Sequence, residues 1–259
     1  ARINYSYEDR YMLTATVRRD GSSRFGKKNR WGTFPSFSAA WRIINEPFME
    51  SARDILSDLK LRAGWGQLGN QEVRDMAYLS AISKAPHYAM GNATQNDRPS
   101  SGIFHEGATI FGIPNRELTW EKTETFNIGF DAQMFSGLTF SAEYYHKITH
   151  GILQAIDLPA SVGVVETPVA NVAKVQNQGF EINANWQGKV GNVIYSVGGN
   201  LTTTANKVLD TYKHIPTSGG SVEEGYSMFY HKAYKVDGIF QSDAEAQEWL
   251  SKHEDVNYQ

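Results

Sequence analysis

Leu138-Thr139-Phe140-Ser141-Ala142-Glu143-Tyr144-Tyr145-His146-Lys147 carries the period on which the fold rests. Leu138, Phe140, Ala142 and Tyr144 fall on one side of an extended chain; Thr139, Ser141, Glu143, Tyr145 and Lys147 fall on the other. Successive side chains of a strand point to opposite faces, so this alternation is the signature of a two-faced strand. Working outward, Phe126, Ile128, Phe130, Ala132 and Met134 alternate with Thr125, Asn127, Gly129, Asp131 and Gln133. Phe180, Ile182, Ala184 and Trp186 alternate with Glu181, Asn183, Asn185 and Gln187. Weaker copies are Ile3/Tyr5/Tyr7, Tyr11/Leu13/Ala15/Val17, Phe37/Ala39/Trp41/Ile43, Leu59/Leu61/Ala63/Trp65 and Val193/Tyr195/Val197/Leu201.

Eight strands are predicted, near 2–8, 10–20, 35–44, 58–67, 119–134, 138–151, 172–187 and 192–209. Several approach or pass the roughly 9–11 residues needed to cross a bilayer on a tilt. The links between them alternate in length. Glu8-Asp9-Arg10, Ser136-Gly137 and Gly188 to Asn192 are tight, whereas 21–34, 68–118, 152–171 and 211–259 are long and polar. The link 45–57 falls on the short side, with room for a helical turn or two between Glu46 and Ile55, and Ala244 to Lys252 reads as a helical patch. Barrels with short periplasmic turns and long extracellular loops sort their connections in this way, and a soluble sandwich has no reason to. Tyr11, Trp41, Trp65, Phe135, Tyr144 and Trp186 lie toward strand ends on the apolar side, where an interfacial girdle belongs.

The second face decides where the apolar one points. It carries Arg18, Arg42, Arg62, Asp131, Glu143, Lys147 and Glu181, with Arg2 and Lys60. Buried without partners, such charges would cost several kcal/mol each by rough reckoning. They are therefore expected to face a wet or plugged lumen, with the apolar side toward lipid. About eight strands closed on themselves leave an interior only just wide enough for side chains, so a segment of a wider barrel is expected.

Composition narrows the function. Net charge is −3, Lys and Arg are scattered and cysteine is absent, which argues against nucleic acid as partner and removes disulfides, Cys-ligated metals and thiol catalysis. The mean hydropathy of −0.45 is compatible with a barrel, whose strands show lipid only every second residue. Gly64-Trp65-Gly66-Gln67-Leu68-Gly69 matches a dinucleotide-loop pattern, but no βαβ unit follows it. His146 and His150 would stand roughly 13 Å apart on a strand and are read as solvated lumen residues. Glu117, Glu121 and Glu124 cluster where a loop meets a strand, and no carboxylate pair of glycosidase type stands out. No catalytic residue, metal site or cofactor is expected. Trp31, Tyr88, Phe104 and Phe111 stand in the long polar links beside amides and guanidinium groups. They are candidates for substrate contact, weighed against simple self-packing of the loops.

The resemblance rests on blocks that run through the whole chain. They are Tyr5 to Gly26 (YSYEDRYMLTATVRRDGSSRFG), Arg30-Trp31-Gly32-Thr33-Phe34-Pro35-Ser36, Leu59 to Gln71 (LKLRAGWGQLGNQ), Pro114 to Thr123 (PNRELTWEKT), Asn171 to Glu181 (NVAKVQNQGFE) and Tyr234 to Gln241 (YKVDGIFQ). In these the chain resembles the SusC/RagA family of TonB-linked outer-membrane proteins of Bacteroidetes. The resemblance implies an N-terminal plug inside a barrel of about 22 strands. It also implies a SusD-like lipoprotein lid, energy from TonB, and import of oligosaccharides or peptides. Plug, TonB-contacting segment and closing strands are expected to lie outside this chain.

The expectation is thus all-β: an antiparallel transmembrane β-barrel segment in the bacterial outer membrane, serving transport. A soluble all-β carbohydrate-binding module is the alternative, and a β-rich hydrolase a third. Solubility separates the first two, since a membrane barrel needs detergent.

Overall fold

The computed structural model describes residues 1–84, 87–89, 104–135, 137–163, 165–212, 215–217, 220–231, 233, 236 and 238–252. The main strands are β1 (Arg2–Tyr7), β2 (Tyr11–Gly21), β3 (Trp31–Arg42), β4 (Leu56–Asn70), β5 (Glu121–Met134), β6 (Leu138–Ala155), β7 (Val169–Val190), β8 (Val193–Thr202) and β9 (Ala205–Thr211). Among the described residues they form one antiparallel sheet, β1 to β8 in chain order, with β9 beside the other half of β7. Among these residues the sheet does not close on itself.

The tight turns have local causes. Glu8 and Asp9 take φ of 49° and 52°, Phe135 takes 51° and Gly191 takes 60°. Left-handed residues at hairpin tips match the right-handed twist of the strands they join. The 43–55 link holds two short 3-10 turns, Ile43–Asn45 and Pro47–Ala52, the second started by a proline whose missing N–H is no loss there.

The segment read as one strand over 192–209 is interrupted at Thr203–Thr204. At the break the Thr203 hydroxyl accepts the Phe180 N–H at 3.0 Å, and Tyr145 bonds Thr204 at 3.0 Å. Gly179 makes the break possible, since a Cβ there would lie 1.9 Å from the Thr203 carbonyl oxygen.

Register lines up the apolar side chains in rows. One row is Tyr5, Leu13, Ala39, Ala63, Ile128, Tyr144 and Phe180. The next is Tyr7, Tyr11, Trp41, Leu61, Phe130, Ala142, Ile182 and Leu201. This face stays open: Leu13 is 51% exposed, Ile128 50% and Phe180 56%. A sandwich would bury those positions under a second sheet. A contiguous apolar surface spread over the whole wall needs hydrocarbon rather than water beside it.

The largest buried cluster sits elsewhere, at the long-connection end. Phe25, Phe34, Val73, Ala77, Leu118 and Trp120 pack together there against Leu153 and Val169. Phe25 and Phe34 approach the Trp120 ring at 5.3 and 5.4 Å. Gly69 clears the space, because a Cβ at that position would collide with the Phe34 ring at 2.0 Å. Among the described residues three small ribbons decorate the connections: Ile82–Ser83 with Thr109–Ile110, His87–Ala89 with Phe104–Glu106, and Ile215–Thr217 with Gly220–Val222. An α-helix, α1, spans Asp243–Lys252. No described helix is long and apolar enough to cross a membrane, which says nothing of strands.

Candidate functional site

The face opposite the apolar rows is a connected polar surface. One row runs Arg42, Lys60, Asp131, Ser141, Asn183 and Asn200, and its neighbour runs Ala40, Arg62, Gly129, Glu143, Glu181 and Thr202. Alternation within β2 and β6 puts Arg18 and Lys147 on the same side, and pairing with Thr16 puts Arg2 there too, so all nine charged residues singled out from sequence share it.

Most of these charges meet. Arg42 pairs with Asp9 at 2.7 Å and with Asp58 at 3.1 Å, and Lys60 pairs with Asp131 at 3.1 Å. Arg62 reaches Asp131 at 3.4 Å and also binds Glu143, which accepts a further hydrogen bond from Asn127 at 2.6 Å. Gly129 stands between Arg62 and Glu143 in the row, and its missing side chain leaves the guanidinium a path across β5. Arg18 pairs with Asp20 at 2.7 Å. Lys147 and Glu181 are exposed and form no ion pair among the described residues.

Among the described residues, two recesses of more than 500 Å³ open on this surface. The first, of about 560 Å³, is lined by Thr14, Ser36, Ser38, Lys60, Arg62, Thr125 and Asn127 among others. The second, of about 520 Å³, is lined by Thr139, Ser141, Asn183, Asn185, Ser196 and Asn200. Hydroxyls, amides and paired charges make a surface on which polar solutes exchange hydrogen bonds with little net gain or loss. Such a lining suits passage better than capture.

Aromatic residues of the apolar side have their polar tips satisfied. Trp65 Nε1 donates to Glu124 at 2.6 Å, Tyr144 to Gln178 at 3.2 Å, and Trp186 Nε1 to Tyr195 at 3.4 Å. At the short-turn end Tyr11 and Trp41 stack at 6.3 Å and donate to the buried Glu46 at 2.7 and 2.9 Å. Those two bonds, Tyr11 first, hold the Glu46 carboxyl below its usual range, with Arg10 adding to the effect. Rings with an apolar body and a bonded polar tip fit a membrane–water boundary.

The long connections are pinned to the wall by asparagines that the sequence reading passed over. Asn171 accepts the Thr119 N–H at 3.0 Å and donates to the Thr119 and Gly151 carbonyls at 2.9 and 2.8 Å. Asn115 donates to the Val169 carbonyl at 3.0 Å, and Asn29 to those of Glu117 and Leu118 at 3.1 and 3.2 Å. Asn171 and Asn115 stand within the family blocks quoted above, and that was the only signal for them.

Two placements differ from expectation. His146 and His150 are not on the charged face. Register places His146 within the aromatic row of Phe37, Trp65 and Phe126, and pairs His150 with Lys122 above that row, so both stand on the apolar side. Trp31 is not in a loop. It opens β3 on the side of Pro35 and Phe37, with the Arg19 guanidinium 5.3 Å from its ring centre. Phe111 lies half-buried under Arg74, 5.3 Å from its guanidinium, and Arg74 also pairs with Glu166. Tyr88 and Phe104 fall in the same short ribbon, where Tyr88 pairs with His105 and Phe104 with Ala89.

An open wall with one bilayer-suited face, one wet face and long connections gathered at one end defines a class: a section of an outer-membrane β-barrel. The family profile described as TonB dependent receptor-like, beta-barrel matches residues 1–235, and the chain belongs to that family. Within it the chain is similar to the SusC/RagA group. It is 37% identical over 186 residues to the TonB-dependent receptor SusC of Bacteroides thetaiotaomicron, covering 71% of this chain and 18% of that protein. To the TonB-dependent receptor P26 of Formosa agariphila it is 33% identical over 211 residues, 81% of this chain and 20% of the relative. It superposes on a chain of the RagAB peptide importer in its closed-closed state with a TM-score of 0.73 and 25% identity, over 87% of this chain and 24% of the other. The siderophore receptor PirA of Pseudomonas aeruginosa, at 16% identity and a TM-score of 0.50, shares the fold. The chain spans about a fifth of the length of the curated relatives it matches.

Proposed function

We propose that this chain is part of the wall of an outer-membrane importer that takes up oligosaccharides or peptides, energised through TonB and paired with a SusD-like lipoprotein. The observation that carries this reading is the two-faced, single-layer sheet: a continuous exposed apolar band backed by a polar face whose charges are largely self-paired. On this reading Arg18, Arg42, Arg62, Asp131, Glu143, Lys147 and Glu181 border the lumen, and the long connections are extracellular. Plug and closing strands belong to other parts of the same protein. The relatives named for SusC and for a RagAB peptide importer support nutrient import as the activity.

The mechanism assigned to these residues is gated passage without covalent chemistry. Substrate captured above the wall, with Tyr88, Phe104 and Phe111 as candidate contacts, moves past the hydroxyl- and amide-lined recesses when the plug yields. Trp31, on the apolar side, is assigned to the interfacial girdle instead. Self-paired charges suit the passage because they offer a moving solute no strong trap.

The test is uptake by the full-length protein in its own bacterium. Deleting its gene is expected to abolish growth on a restricted set of oligosaccharides or peptides, and complementation is expected to need intact TonB. Undiminished uptake of every such nutrient by the deletion strain, or complementation without TonB, overturns the reading.

A further inference from the structure

One row on the apolar side breaks its own pattern. Above the last aromatic row, Lys122 of β5, His150 of β6 and Lys174 of β7 are direct cross-strand partners. Two ammonium groups here flank an imidazole across three adjacent strands. The nearby carboxylate, Glu124, is engaged by the Trp65 indole at 2.6 Å and stands 4.0 Å from His150. Asp210, in register with Lys174, makes no ion pair with it, and neither lysine has a carboxylate partner among the described residues.

The height of the row identifies what the lysines meet. Lys122 precedes Phe126 by four positions on the same face, about 13 Å along a strand. A tilt of about 40° turns that into roughly 10 Å above the aromatic edge of the hydrocarbon. A lysine at that height, its stem lying back along the wall, puts its ammonium among the lipid headgroups. Arg19, over Trp31 at 5.3 Å, adds a further cation on the same side at the corresponding end of β2.

We propose that the Lys122–His150–Lys174 row is a binding site for the phosphorylated headgroup of a bilayer lipid, whose acyl chains lie along the Phe126–Phe180 face. The site rests on the membrane reading given above. The two lysines, which have no carboxylate partner among the described residues, take the lipid phosphate as their counter-ion.

The experiment uses the full-length protein in nanodiscs of phosphatidylcholine with a graded fraction of phosphatidic acid, with bound lipid counted by native mass spectrometry. The parent is expected to retain phosphatidic acid preferentially. K122Q/K174Q is expected to weaken that retention about 25-fold, at roughly fivefold for each lysine near a membrane surface. K189Q, which removes one charge at the short-turn end, is expected to leave it unchanged. Inorganic phosphate at millimolar concentration is expected not to displace the lipid. Equal retention by parent and double variant overturns the proposal, and so does displacement by inorganic phosphate, which would mark a free-anion site. If the double variant does not fold, the parent alone decides: no preference for phosphatidic acid over phosphatidylcholine sinks the site, and a preference abolished by high salt upholds it. Quenching of tryptophan fluorescence by brominated acyl chains separates the two levels. Its absence overturns the membrane reading, and its presence without headgroup preference overturns only the lipid site.

Discussion

Gly129 works through what it lacks. Its neighbours in the row are Arg62 and Glu143, and a Cβ in its place would sit 2.6 Å from the Ala142 carbonyl oxygen. Gly129→Ala is expected to cost about 1–3 kcal/mol through overpacking, read as a lower unfolding midpoint of the full-length barrel in detergent. Arg62→Ala removes two partly exposed ion pairs, with Asp131 and Glu143, so its cost is smaller, about 1 kcal/mol once solvent screening is allowed for. Glu46 gives a pH dependence with a definite sign. Folding lowers its carboxyl below the ordinary 4.5, so its stabilisation is complete above that value and is lost as pH falls through the lower folded value. Thermal midpoints from neutral to acid pH should show the parent's advantage over Glu46→Gln shrinking toward the acid end. A constant gap would mean that the carboxylate charge plays no part there.

At the level of elements, alternation made the middles of β5, β6 and β7 legible, because a period of two is written in consecutive residues. Their ends were not. β7 begins at Val169 and runs to Val190, beyond the 172–187 read from pattern, because pairing with β6 and β8 extends the ladder through polar and glycine positions. The same holds for Trp31, read as loop but held in β3 by pairing with Gly21. Asn171 shows how a connection is fixed to an element. Asn171→Ala leaves the Thr119 N–H and carbonyl without partners, a local loss of about 1–3 kcal/mol. Faster hydrogen exchange across residues 114–120, with β5 and β6 unchanged, is the expected result. Trp120→Ala, in the buried cluster beneath the same connection, is expected to cost about 3–5 kcal/mol and to raise protease sensitivity of the 71–120 link.

For the whole wall, the decisive property is which face can tolerate charge. Ile128→Arg, in the middle of the apolar band, is expected to destabilise the bilayer-inserted protein by about 2–4 kcal/mol. Ser38→Lys, on the polar face beside the larger recess, is expected to fall within about 0.5 kcal/mol of the parent. Folding of both variants into liposomes, followed by denaturant titration, checks the pair. The reverse order would mean that the apolar band is not bordered by hydrocarbon. The charges of the polar face are satisfied across β3 to β6 largely by one another, so they do not stand as a row of unpaired ions.

The order of strands, their two faces and the sorting of short and long connections were determined by the sequence alone, since alternation and turn chemistry are local and survive without knowledge of partners. Tertiary structure decided what meets across the ladder. Arg62 and Glu143 are 81 positions apart, and Asn171 and Thr119 are 52 apart. Such encounters depend on register, which moves every contact together when it slips by one residue, and no short stretch of chain encodes it.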